Sequence, residues 1–147
     1  MAIIWEHYLW SQDMPLDMTK LEAVEHAWGI QFPQDYKDCI AVNQGKTPNP
    51  NEFSFGDGYA TVFNHLYHFE RHPSNSNIVE SQRSLQMGEL PANVYVFACD
   101  PAGNSICFDY RESDSQPNVV LWHHDAEPEV ELVHVADSFT AFLEQLY

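Results

Sequence analysis

Apolar residues recur at helical spacing twice between Leu21 and Ile40, and the residues around them carry stop and start signals. Leu21, Val24 and Trp28 form one stripe behind Thr19-x-x-Glu22, a capping-box pattern, and Gly29 supplies a left-handed stop. Ile30 and Phe32 lead into Pro33, whose fixed φ and missing N–H suit the first turn of a new helix. Tyr36, Cys39 and Ile40 then make a second stripe that Asn43 and Gly45 terminate. The segment predicts a helical hairpin with a tight corner.

Beyond Gly45 the pattern shortens to strands and turns. The segment KTPNPNE, rich in Pro and Asn, is expected to be a loop; Phe53 to Phe55 begins a strand that breaks at Gly56-Asp57-Gly58 and resumes over 59–63. In HLYHFERH, Leu66 and Phe69 would fit a helix, but the aromatic content favours a short strand. PSNSNIVESQRSL offers Asn and Ser caps ahead of Ile78, Val79 and Arg83 and predicts a short helix. Val94 to Cys99 and Ser105 to Tyr110 flank the turn formers Asp100-Pro101-Ala102-Gly103-Asn104, the signature of a β-hairpin. Its apolar residues fall on both faces, so helices should cover one side and loops part of the other. Val119 to Trp122 and Val130 to Val135 read as further strands around the loop DAEPE. A last helix, capped by Asp137 or Ser138, carries Phe139, Phe142, Leu143 and Leu146 at i, i+3, i+4 and i+7. The first seventeen residues hold an apolar cluster, Ile3, Ile4, Trp5, Tyr8, Leu9 and Trp10, that fits an added helix or strand equally well. The expected fold is α+β: one domain over 1–147, with a mixed or antiparallel sheet packed by an N-terminal helical pair and a C-terminal helix, and with 1–17 as an extension.

The ordered blocks carry a resemblance. The first helix, the Gly-Ile-x-Phe-Pro-x-Asp-Tyr corner, the Asn-Gln-Gly exit, VYVFACDPAGNSICFDY, VLWHHD and DSFTAFLEQL follow one another as in the SMI1/KNR4 (SUKH) superfamily. The likeness covers roughly residues 18 to 147. It implies an α+β domain whose bacterial members are mostly immunity proteins that bind and neutralise secreted, often nuclease, toxins. The family is not known as a set of enzymes. Its eukaryotic members imply an alternative, a regulatory scaffold or protein-interaction module in cell-wall or signalling assemblies.

Charge narrows the partners independently. Twenty-two acidic residues face six basic ones, a formal charge of -16, and no Lys or Arg follows Arg111 while eight Asp or Glu do. Such a field repels nucleic acid, which proteins hold largely by neutralising phosphates with Lys and Arg, so direct DNA or RNA binding is not expected. A basic protein would be steered toward it. No stretch approaches the roughly 20 apolar residues of a membrane span, and the first residues lack a secretory signal pattern, so a cytoplasmic address is expected. The three cysteines, Cys39, Cys99 and Cys107, are too scattered for a disulfide framework and are expected to be reduced. A homodimer is left open.

Catalytic chemistry is thin. His65, His68 and His72 would line one face of a helix and suit zinc with Glu70, but in a strand His65 turns away from the other two. His123 and His124 point opposite ways on a strand. Cys99 and Cys107 sit on facing hairpin arms with nothing in the sequence to orient a base toward them, and read as small hydrophobes. Asp100 and Asp109 are explained by the turn and the strand end, and Gly56-Asp57-Gly58 lacks the helix and Lys of a phosphate loop. No cofactor is expected. The candidate contact surface for a cognate toxin is acidic with aromatic anchors: Glu52 and Asp57 in the first loop region, Asp125, Glu127 and Glu129 after Trp122, with Tyr59 and Trp122 as anchors, although Trp122 also reads as core.

Overall fold

The structure, a computed structural model, describes residues 3–8, 14–70, 77–88, 90–123 and 132–147. Its helical hairpin follows the apolar stripes. Helix α1 (Met18–Trp28) buries Leu21 and Val24 and ends at Gly29, φ +70; α2 (Gln34–Asn43) buries Tyr36 and Ile40. The start of α1 corrects the capping-box reading. Asp17 is the cap, its Oδ1 accepting from the Thr19 N–H at 3.0 Å and from the Thr19 hydroxyl at 2.6 Å, which leaves Thr19 inside the first turn.

The principal sheet has five antiparallel strands: β5 (His65–Leu66), β6 (Val94–Cys99), β7 (Ser105–Asp109), β8 (Asn118–Trp122) and β9 (Leu132–Ala136), side by side in that order. The β6–β7 hairpin forms as its turn chemistry predicts. A register shift between Val96 and Ala98 marks an irregularity around Phe97, whose ring stacks on Phe108 at 4.2 Å. Every residue of β7 is buried, so the sheet is covered on both faces. Helix α4 (Phe139–Glu144), capped by Ser138 through the Ala141 N–H, adds Phe139 and Phe142 to an aromatic core with Tyr36, Phe97 and Phe108. Helix α3 (Ile78–Met87), capped by Asn77, covers the first half of β6, which the two-residue β5 leaves unpaired. The Gln82 amide donates to the Val94 carbonyl at 3.0 Å and accepts from the Val96 N–H at 2.8 Å, standing in for a strand.

Two ribbons flank the sheet. β3 (Glu52–Phe55) pairs with β4 (Tyr59–Val62) around Gly56-Asp57-Gly58, as expected. The segment expected to be a loop is instead partly a strand: β2 (Lys46–Asn49) pairs with β1 (Ile4–His7), Trp5 opposite Pro48. Local propensity pointed to a loop, but a tertiary partner overrode it, and a two-stranded ribbon tolerates Pro48 because each strand needs ladder bonds on one side only. This pairing also settles residues 4–7 as strand rather than helix. No helix among the described residues is long and apolar enough to cross a membrane.

Candidate functional site

The β3–β4 hairpin presents the exposed part of the expected surface. Gly56 (φ +56) and Gly58 (φ +88) take left-handed conformations on either side of exposed Asp57, which is what lets a tight turn hold this acid at its tip. Tyr59 follows, 65% exposed, its ring stacked on Phe55 at 5.8 Å. Phe55 is buried and meets His123 at 5.0 Å. His123 is the residue immediately ahead of 124–131, so the tip is joined through three rings to the head of the acid-rich segment. Asp125, Glu127 and Glu129, like His72 and His124, lie outside the described residues.

The other candidates do not join this tip. Glu52 is exposed at the far end of β3, about 10 Å along the strand, its backbone paired with Tyr147 in both directions at 3.1 and 3.0 Å. Trp122 is 5% exposed and belongs to the core, leaving little area for a partner; its indole N–H has no hydrogen-bond partner among the described residues. At least three of the six cations are paired within the chain. Lys20 pairs with Glu70, Lys37 with Glu25 at 3.0 Å, and Arg111 with Asp109 at 2.9 Å. Partial burial works against the Asp109 carboxylate, but the side-chain and backbone hydrogen bonds from Arg111, with its charge, outweigh it and hold the carboxyl below its ordinary range.

The chemical alternatives separate in space. His65 stacks on Tyr8 at 4.4 Å while His68 packs against Gly45, and among the described residues no group of three His, Cys, Asp or Glu could hold a metal. Asp100 is saturated by the Ala102 and Asn104 N–H groups, the Asn104 amide and the Thr61 hydroxyl, all within 3.0 Å, as turn chemistry requires. Cys99 stands opposite Ser105 and Cys107 opposite Val96, so the two thiols are not cross-strand partners.

One juxtaposition had no sequence signal. His65 lies opposite Cys99 across β5 and β6, with Sγ 3.7 Å from Nδ1. Burial pushes the Cys99 thiol up and, with the neighbouring His68, pushes His65 down to about 4, so both are neutral near pH 7 and no thiolate–imidazolium nucleophile forms. Burial also drives Cys39 up to about 12 and raises Cys107. All three thiols are therefore expected to resist Ellman's reagent at pH 7.5 in the folded protein and to react in full in urea. Fast labelling of Cys99 without denaturant would refute this assignment.

The chain matches the family model described as SMI1 / KNR4 family (SUKH-1) over residues 15–145. No curated protein and no solved structure matches it. The matched span begins beside the cap of α1 and runs through α4, taking in the helical pair, the sheet and the hairpin that carries Asp57 and Tyr59. With nearly the whole described fold inside that match, the chain belongs to the SMI1/KNR4 (SUKH-1) family.

Proposed function

We propose that the chain is a cytoplasmic immunity protein that binds a basic, nuclease-type toxin domain and silences it by stoichiometric occlusion. The observation that carries this reading is the exposed Asp57–Tyr59 tip, linked through Phe55 and His123 to an acid-rich segment on a protein of charge -16. Family membership supports it, because binding rather than turnover is the activity the resemblance implies. The acids set the approach of a basic partner, and Tyr59 supplies rigid apolar area once contact is made. Glu52 and Trp122 contribute less here than the tip, one by distance and the other by burial.

The test is a titration of the purified chain with the basic toxin domain encoded beside it. A 1:1 complex is expected, its association rate falling about tenfold between 50 and 500 mM NaCl. Tyr59→Ala should speed dissociation by about tenfold, while Asp57→Asn should mainly slow association. Lack of protection of toxin-poisoned cells by the chain, or turnover of a substrate by the chain alone, would end the proposal.

A further inference from the structure

The corner between α1 and α2 and the adjoining end of the β6–β7 hairpin enclose a cleft of about 480 Å³. One wall is aromatic: Trp28 stacks on Tyr95 at 5.1 Å, and Tyr110 meets Tyr95 edge-on at 5.9 Å. These rings are anchored to the corner. The Tyr110 hydroxyl donates to the Gln31 carbonyl at 2.7 Å, and the Tyr95 hydroxyl donates to the Trp28 carbonyl at 3.4 Å. Gly29 lines the mouth, with open space where a Cβ would stand.

The remaining lining is mostly polar and carries two acids. Its charged members are Glu25 and Asp114, which stand among His26, Ile30, Gln31 and Asn93, and the lining includes no Lys or Arg. Glu25 is 5% exposed, its Oε2 held by the Phe32 N–H at 2.7 Å and by Lys37 at 3.0 Å, whereas Asp114 is exposed and able to meet an incoming group. Flat π faces beside a carboxylate favour a planar, always-charged guanidinium over the compact, strongly hydrated ammonium of lysine. An anionic ligand would have to enter against the charge of the whole chain.

We propose that this cleft receives an arginine side chain from the basic partner, the guanidinium lying against the Trp28–Tyr95–Tyr110 wall with its donors directed to Asp114. The inference rests on the reading of the chain as an acidic protein-binding domain, and it places a second point of contact at the Val94–Asp109 end of the β6–β7 hairpin, away from the Ser105–Trp122 end beside which the tip docks. In the mechanism it implies, long-range attraction brings the partner in and one arginine, inserted into a preformed aromatic slot, fixes its orientation.

The probe is N-acetyl-arginine-N-methylamide, titrated into the full-length 15N-labelled chain, with the neutral citrulline counterpart as control. Saturable shifts are expected at the Trp28 indole N–H and at the amides of Gly29, Asn93 and Tyr95, with citrulline binding at least about tenfold more weakly. Asp114→Asn, a change at an exposed side chain that should leave the fold intact, should weaken the arginine probe several-fold, and Tyr95→Leu should remove the response at Trp28. Equal binding of citrulline, no saturation, or shifts spread over the acidic surface would each overturn the assignment. Should the probe fail while the toxin complex forms, the cleft assignment falls and the proposed function stands; should the probe bind while no toxin complex forms, the reverse holds.

Discussion

Gly45→Ala is expected to lower stability by about 3 kcal/mol or more, read as a fall in the urea midpoint at unchanged slope. Two effects add. Gly45 has φ +79, a left-handed conformation that penalises a Cβ by about 1 kcal/mol. The new Cβ would also stand inside the space of the His68 imidazole, against Nε2 and Cε1. Neither side can easily give way. His68 is 5% exposed, and the backbone around Gly45 is pinned by the bond from its N–H to the Leu66 carbonyl at 3.0 Å. The preceding Gln44 is pinned as well: its side chain donates to the Met14 carbonyl and accepts from the Phe69 N–H, both at 2.9 Å. Gly45→Ala/His68→Ala should relieve the clash and leave the backbone strain, a coupling of about 1–2 kcal/mol in a double-mutant cycle. A loss below about 1 kcal/mol for the single change would mean that the two groups do not touch.

Acid should cost the fold about 2 kcal/mol between pH 7 and pH 5 through His65 alone. Burial, reinforced by His68, holds the folded-state value of His65 at about 4 against an ordinary 6.5. Around it stand the Tyr8 ring at 4.4 Å, the Cys99 sulfur at 3.7 Å and Tyr67 at 5.8 Å, none of them an anion at neutral pH that would offset the desolvation of an imidazolium. As pH falls through 6.5 the unfolded chain takes up a proton that the folded one refuses, so stability drains away until the folded group also titrates near 4. His68 adds to the same window: burial lowers it too, with Glu70 opposing. Urea melts at pH 7.5, 6, 5 and 4.5 would show the loss, and His65→Phe should flatten the profile. An unchanged pH slope in that variant would show that His65 is not the group responsible.

The long-range pieces of both predictions lie outside any local pattern. Asn43 and Gly45 were legible as a helix stop, because a left-handed exit after an apolar stripe is a local signal. That Gly45 also makes room for a ring 23 positions later was not, since the close approach exists only once β5 lies beside the end of α2. The same division holds at the candidate surface. Gly56-Asp57-Gly58 between short apolar runs announced an acid at a turn, but no alternation along β4 marked Tyr59 as exposed: Tyr59 and Ala60 are both exposed, and Thr61 and Val62 half-buried. The Tyr59–Phe55–His123 contact that ties this tip to the start of the acidic segment depends on how the ribbon docks against β8 and β9, which no neighbour in sequence encodes.

Periodicity, caps and turn formers along the chain determined the helical pair, the β6–β7 hairpin, the Asn77-capped and Ser138-capped helices and the acidic character of the molecule, because each is set by residues within a few positions of one another or by composition. Tertiary structure alone decided the rest. It made a strand of Lys46–Asn49 by giving it β1 as a partner, set His65 against Cys99, and built the aromatic cleft from residues 28, 95 and 110. The physical reason is common to all three: each depends on a contact between segments tens of residues apart, whose energy appears only after the intervening chain has been ordered.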